Sequence, residues 1–213
     1  MRKSEIVILF LVILSFIAGI FIYSRMPEQM ASHWNGSGQV DGYMSRFWGV
    51  FLLPIIFLVM AILFIIIPRI DPLKRNIEQF RKYFDGFIIL IFLFFLYIYG
   101  LTIYWNLENS FNMTAFMIPA MAVLLYYCGI LINNSKRNWS IGIKTPWTMS
   151  NDVVWDKTHK IGGKLFKASA IICLLGLIWP SYAMWFVLVP IILSTIFVFV
   201  YSYLEFRKLN KVV

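Results

Sequence analysis

The sequence predicts an all-α integral membrane protein with six transmembrane helices, one structured outer loop and one cytoplasmic amphipathic segment. Of the 213 residues, 61% are hydrophobic and only 14% are charged. A soluble domain cannot hide that much apolar surface in a single core, so lipid is the expected solvent for most of the chain. Several apolar runs reach the roughly 20 residues that an α-helix needs to cross a bilayer.

Six apolar runs are candidate spans. The first follows Arg2 and Lys3, as a signal peptide would, but it is longer than a typical signal core and no small-residue cleavage site follows. We therefore interpret it as a retained span. The fifth is the shortest and has Lys167 near its start. The predicted spans are residues 5–23, 48–67, 86–105, 115–132, 165–179 and 183–203.

The distribution of Lys and Arg predicts the orientation, because positive residues near span ends are held on the cytoplasmic side. The N-terminal segment carries 2, the connection 68–85 carries 5, the segment 133–167 carries 7 and the C-terminal tail carries 3 of the 19. The remaining two, Arg25 and Arg46, lie on the opposite side, at the two ends of the segment between the first and second spans. Both termini are expected in the cytoplasm. The net charge of +9 is thus a topology signal, and its division among separate segments disfavours nucleic-acid binding.

The predicted spans hold no Asp, Glu, Lys or Arg at depth, which disfavours a transporter, since coupled transport needs ionisable groups near the midplane. Pro54, Pro119 and Pro190 lie in or near spans and indicate either kinks or the broken helices of transporters. Cys128 and Cys173 lie inside apolar runs without a metal-ligand spacing, so buried free thiols are expected.

The outer stretch MPEQMASHWNGSGQVDGYMSR, residues 26–46, is rich in turn signals. Asn35-Gly36 and Asp41-Gly42 are strong turn dipeptides, and Val40 and Tyr43 suit a short extended ribbon.

His33 and Asp41 in this stretch are candidate metal ligands. One histidine and one carboxylate do not make a protein zinc site unless a third ligand, Glu28 or Glu108, joins them. A loop held by hydrogen bonds from His33, Asn35 and Asp41 is the favoured alternative, and no cofactor is expected.

The inner stretch, residues 133–166, reads NNSKRNWSIGIKTPWTMSNDVVWDKTHKIGGKLF. Pro146 forbids a continuous helix through its centre, and Gly142 allows irregular backbone before it. Trp155 and His159 are four residues apart and share a helix face. We expect an amphipathic helix at the cytoplasmic interface, ahead of the fifth span, as a surface connector or a partner-docking platform.

Catalysis by His159 with Asp152 or Asp156 is disfavoured, because no recognisable nucleophile motif lies beside it. The chain is therefore not expected to be an enzyme. A membrane metalloenzyme using His33 and Asp41, and a small transporter or transporter subunit, remain alternatives.

Both stretches resemble a known family. The outer pattern MP…HWN…G…DG is similar to a domain of unknown function that precedes the SdpI domain in bacterial membrane proteins. The inner NWSIGIKTPWTMSNDVVWDKTHKIGG resembles the SdpI-family signature N…GIR-TPWT…W…H…G. With the intervening spans, the resemblance covers nearly the whole chain. Lys144 stands where the family usually has arginine, which keeps the charge but loses the bidentate fork.

The resemblance implies a multi-pass immunity protein of a bacterial cell membrane. A named member of the family protects its producer from a secreted peptide toxin and sequesters a transcriptional repressor at the membrane when toxin is bound. The bilayer, a peptide toxin and a cytoplasmic repressor are therefore the implied partners.

The implied modules are an N-terminal membrane module at 1–67 with its outer loop at 24–47, a cytoplasmic connector at 68–85, and a four-span SdpI-like module at 86–213 with its motif loop at 133–164. The implied toxin-facing residues are His33, Trp34, Asn35, Gly38, Asp41 and Gly42. The implied cytoplasmic partner surface comprises Asn138, Gly142, Ile143, Lys144, Thr145, Pro146, Trp147, Thr148, Trp155 and His159.

Overall fold

A computed structural model describes residues 1–107 and 110–210 of the chain. The described part is mostly helical, as predicted, with one two-stranded sheet. The elements are α1 (Lys3–Ile22), β1 (Gln29–Trp34), β2 (Val40–Ser45), α2 (Arg46–Ile70), α3 (Lys74–Gln79), α4 (Arg81–Asn106), α5 (Met113–Asn134), α6 (Pro146–Ser150), α7 (Asp152–Cys173) and α8 (Ala183–Asn210).

Five helical segments in the described residues are long and apolar enough to cross a membrane. They are Lys3–Arg25, Arg46–Ile70, Arg81–Asn106, Met113–Asn134 and Pro180–Leu209. They correspond to five of the six predicted spans. The predicted fifth span, 165–179, occupies the second half of α7 and the short 3-10 helix Leu174–Leu177. A sixth crossing by α7 stays a prediction.

Helix α7 corrects one expectation. The expected interfacial helix and the start of the predicted fifth span are one unbroken helix, which begins at Asp152, where the Asn151 side chain accepts from the backbone N–H groups of Val153 and Val154. Its polar first half lies against the C-terminal ends of α5 and α8, where Lys157 pairs with Glu205 at 2.8 Å.

Helices α5, α7 and α8 form one bundle in which α7 runs antiparallel to both neighbours. Near one end, a Cβ added at Gly129 would lie 2.7 Å from the Gly163 carbonyl oxygen, so small residues are needed where α5 and α7 cross. At the other end, the Cys173 thiol lies 3.8 Å from the Ile118 carbonyl oxygen. Helix α7 therefore follows α5 over most of its length.

Helices α1, α2 and α4, which come first in the chain, form the first bundle around buried side chains that include Ile8, Phe57 and Phe92, and α5, α7 and α8 are the second bundle. Helix α4 also packs against α5 and so joins the two bundles. Pro54, Pro119 and Pro190 lie inside α2, α5 and α8, which are assigned as continuous helices. These prolines therefore do not break the helices in the way that the transporter alternative requires.

We expect a six-span arrangement, with α7 crossing the bilayer, to show in cysteine labelling of intact cells. Ser37→Cys and Ser181→Cys should react with a membrane-impermeant maleimide from outside. Lys136→Cys and Lys208→Cys should react only after permeabilisation, because the positive-rich segments stay inside. The unsubstituted chain, whose Cys128 and Cys173 lie within helices, gives the background. Labelling of position 208, but not 181, from outside would show that α7 does not cross.

Candidate functional site

The outer stretch folds as a β-hairpin whose turn begins at the predicted dipeptide Asn35-Gly36, whereas Asp41-Gly42, also predicted as a turn, lies within strand β2. Strands β1 and β2 pair antiparallel, with His33 opposite Gly42. The Asn35 side chain shapes the turn, because its oxygen accepts from the backbone N–H groups of Ser37 at 3.0 Å and Gln39 at 3.1 Å. A Cβ at position 42 would lie 2.9 Å from the His33 Cβ. The absence of a side chain at Gly42 therefore leaves room for the His33 side chain opposite it.

Asn106, in the last turn of α4, anchors the hairpin. Its side chain accepts from the Ala31 N–H at 2.8 Å and donates to the Ala31 carbonyl at 3.0 Å. The Asn106 amide thus bonds to both the N–H and the carbonyl of Ala31, as the backbone of a neighbouring strand would. Met30 beside it is fully buried against Gly49 of α2. The sequence did not predict this role of Asn106. The one sign of it is an amide side chain at the end of an apolar span.

The tip of the hairpin reaches the other bundle. Gly38 has a φ of +78°, and a Cβ there would lie 2.5 Å from the side-chain oxygen of Asn112, which caps α5. Gly36 lies against Met184 at the start of α8. The hairpin therefore rests on α5 and α8 while its strands are held by α2 and α4.

His33 and Asp41, expected to hold the loop by hydrogen bonds, are paired with each other, with 2.5 Å between His33 Nδ1 and Asp41 Oδ1. Both side chains are solvent-exposed, at 71% and 45%. Within residues 1–107 and 110–210, no third His, Cys, Asp or Glu joins them to form a possible metal site. Glu108, one of the two candidate third ligands, lies outside the described residues.

A cavity of about 440 Å³ lies beneath the hairpin, between the outer ends of the two bundles. Its walls come from β1, α2, α4, α5 and α8, and five methionines contribute to them: Met44, Met113, Met117, Met121 and Met184. The Trp34 ring lines the cavity and meets Trp105 edge-on at 5.8 Å. The Trp34 Nε1–H is buried without a hydrogen-bond partner in the described part of the chain.

The inner stretch forms a compact loop around Asn138, whose side chain is fully buried. Its oxygen accepts from the backbone N–H groups of Ser140 and Ile141, at 2.8 and 2.6 Å. Its nitrogen donates to the carbonyls of Lys136 and Ile141, at 2.7 and 2.9 Å. One side chain thus satisfies four backbone groups of a non-helical segment.

Asp71, at the end of α2, holds this loop from the first bundle. Its carboxylate accepts from the Trp139 N–H at 3.0 Å, from the Ser140 hydroxyl and from the Leu73 N–H at 2.7 Å. Asn76 of α3 adds a bond from its side chain to the Arg137 carbonyl at 2.7 Å. Sequence reasoning treated 68–85 as a connector and missed both residues, because their partners lie more than sixty positions away.

Gly142 gives the loop a path that other residues rarely adopt, with a φ of +128°. A Cβ there would lie 2.6 Å from His159 Nε2 and 2.8 Å from the Trp155 ring. The two rings stack at 3.8 Å between centroids. Trp155 donates to the Ser135 carbonyl at 3.0 Å, and His159 Nε2 accepts from the Ile143 N–H at 2.8 Å.

The TPWT segment begins α6. Thr145 is the N-cap and exchanges hydrogen bonds with Thr148, while Pro146 occupies the first turn, where its missing N–H costs nothing. Thr148 also donates to the Ile143 carbonyl at 2.8 Å. Trp147 packs against Phe199 and Tyr203 of α8, with centroids 5.2 and 5.1 Å apart. The motif therefore fastens the loop to α8.

Half of the ten residues of the expected partner surface are buried. Asn138, Thr145, Thr148, Trp155 and His159 are buried, and Lys144 and Pro146 are exposed. Lys144 donates to the Trp139 carbonyl at 2.8 Å, which a single ammonium can do without the fork of arginine. Partner binding by this segment stays a prediction, and it concerns the exposed residues.

Burial lowers the pKa of His159 to about 4, although its bond to the Trp155 carbonyl and the nearby Asp156 carboxylate act in the opposite direction. The geometry agrees: Nδ1–H donates to the Trp155 carbonyl at 2.8 Å, and Nε2 accepts from Ile143. Both ring nitrogens are therefore occupied. Asp152 and Asp156 pair instead with Arg137 and Lys136, so the described contacts give no support to catalysis by His159.

We expect the stability of the protein to depend on His159 between pH 6.5 and 4. Because the folded pKa lies below the unfolded one, the contribution is full above pH 6.5 and is lost as pH falls towards 4. The loss should reach about 3 kcal/mol in the free energy of unfolding. Detergent-titration unfolding at each pH measures it.

His159→Gln should remove this part of the pH dependence, whereas His33→Gln, at the other of the two histidines, should keep it. Equal slopes in wild type and His159→Gln would contradict the assignment.

Comparison with known proteins matches both stretches to described families. The domain of unknown function DUF1648 matches residues 10–58, and the SdpI/YfhL protein family matches residues 134–202. Immunity protein SdpI of Bacillus subtilis (strain 168) is 23% identical over 209 residues, which cover 98% of each chain. No solved structure matches the chain. The resemblance drawn from the two motifs is confirmed, in the order in which they occur.

Proposed function

We propose that this membrane protein, in which a DUF1648 domain precedes an SdpI/YfhL-family domain, gives a bacterial cell immunity to a secreted peptide toxin. The relative that supports this function aligns over nearly the full length of both chains and is an immunity protein by name. The structural observation that carries the proposal is the outer hairpin. It presents an exposed His33–Asp41 pair and covers an apolar cavity between the two bundles.

The six expected toxin-facing residues fall into two groups: three that a ligand can reach and three that shape the hairpin. His33 and Asp41 have exposed side chains and can meet a ligand that arrives from outside. Trp34 lines the cavity. Asn35, Gly38 and Gly42 shape the hairpin that carries the other three. Ligand contact is therefore assigned to His33, Trp34 and Asp41.

Signalling through a cytoplasmic repressor is the second part of the proposal. The exposed side chains of the inner loop, Trp139, Lys144 and Pro146, are the groups that a cytoplasmic protein can reach. A toxin could change their exposure only if it bound two arrangements of the bundles with different affinities. No described contact favours the transporter or the metalloenzyme alternative.

We expect expression of the chain to protect a sensitive bacterial host against at least one member of a panel of secreted peptide toxins. His33→Ala and Asp41→Ala should each lower the tolerated toxin concentration roughly tenfold, because a charge-assisted contact contributes a few kcal/mol at most. Dose–survival curves measure this, with membrane abundance followed by immunoblot.

Gln39→Ala is the matched control, since Gln39 is exposed on the same hairpin and should leave protection unchanged. Survival equal to that of an empty host across the panel would contradict immunity. Loss of protection together with lost abundance would assign His33 and Asp41 a structural role instead.

A further inference from the structure

The cavity beneath the hairpin has the chemistry of a site for apolar groups. Among the described residues that line it, His33 is the only one with an ionisable side chain, and it lies at the hairpin roof. Five methionines make the walls adaptable, because an unbranched thioether changes shape at little cost. The volume of about 440 Å³ falls in the range of ligand pockets in proteins.

The cavity lies between the two bundles and beneath the hairpin. Its floor is formed by residues such as Leu53 of α2, Ile98 of α4 and Met121 of α5, which are within the membrane-length helices. Its roof meets the second bundle through Gly36 against Met184 and Gly38 against Asn112. The Asn106 anchor holds the hairpin elsewhere, at Ala31 of β1.

We propose that this cavity binds apolar side chains of a peptide whose backbone lies under the hairpin. The inference rests on the proposed function, since it places the toxin's apolar segment at this site. The occupant is uncharged where it enters the cavity. The polar groups beside that segment meet the exposed His33–Asp41 pair at the surface.

A peptide fits better than a phospholipid acyl chain because the roof contains an unsatisfied donor. The Trp34 Nε1–H is buried and lacks an acceptor in the described part of the chain, a situation that costs free energy in an apolar environment. The indole ring that carries this N–H lines the cavity. A peptide carbonyl then supplies the acceptor next to an apolar side chain, whereas the hydrocarbon of an acyl chain supplies none.

Photo-crosslinking of the full chain in phosphatidylcholine vesicles tests the site. The probe is a synthetic helical peptide of leucine and alanine that carries one p-benzoylphenylalanine, which reacts readily at the C–H bonds beside methionine sulfur. We expect mass spectrometry to find the adducts on Met113, Met117, Met121 and Met184. Met117→Trp, which fills the cavity, should lower the yield on the remaining three roughly tenfold.

Val123→Trp is the matched control, because Val123 lies on the exposed side of the same helix α5 and should leave the yield unchanged. Adducts spread over exposed helix faces, with equal yields in both variants, would overturn the proposal. So would labelling of the same methionines by a benzophenone-bearing phosphatidylcholine but not by the peptide.

A survival assay with the two variants separates this inference from the proposed function. Protection that is lost in Met117→Trp at normal membrane abundance but kept in Val123→Trp supports the cavity as the toxin site. Equal protection by Met117→Trp and wild type would overturn that placement while leaving immunity intact. Crosslinking at the cavity by a chain that gives no protection would support a peptide site and refute immunity instead.

Discussion

Irregular backbone that is buried from water must find hydrogen-bond partners within the protein, and this requirement organises the structure. The two non-helical stretches meet it with polar side chains rather than with more secondary structure. Asn106 serves both backbone groups of Ala31. Asn138 serves four groups of the inner loop, and Asp71 and His159 serve further N–H groups of the same loop. All four side chains are buried, where their hydrogen-bonding groups are paired with backbone N–H and carbonyl groups.

The same interactions join the two bundles at both ends of the helices. At one end the hairpin, anchored to α4 through Asn106, reaches Asn112 and Met184 of the second bundle. At the other end Asp71 and Asn76 hold a loop that Trp147 fastens to α8. The outer cavity lies between these two connections, where the bundles leave space that the side chains do not fill. A ligand in that space would act on both bundles at once.

Local patterns in the sequence predicted five of the membrane-length helices and the turn at Asn35-Gly36, because hydropathy and turn dipeptides report on nearby residues. Of the hairpin, the sequence indicated only a short extended ribbon and a loop held by hydrogen bonds, among them those of His33 and Asp41, which are eight positions apart. Asn106 and Asp71 escaped prediction, since they bond to residues 75 and 68 positions away. Helix α7 likewise packs on residues far along the chain, among them Glu205, which pairs with Lys157. The inner motif was assigned to a partner surface from its place in the family pattern, whereas Asn138, Thr148 and His159 bond to backbone groups of the loop.

Hydrogen exchange at the inner-loop amides tests most directly whether buried side chains hold the irregular backbone. In the wild-type protein in vesicles, we expect the amides of Trp139, Ser140, Ile141 and Ile143 to exchange slowly. In Asp71→Ala the Trp139 amide should lose its protection, while the Ala31 amide, bonded to Asn106, should keep its own. Unprotected exchange of the loop amides in the wild type would contradict the requirement from which the rest of the structure is explained.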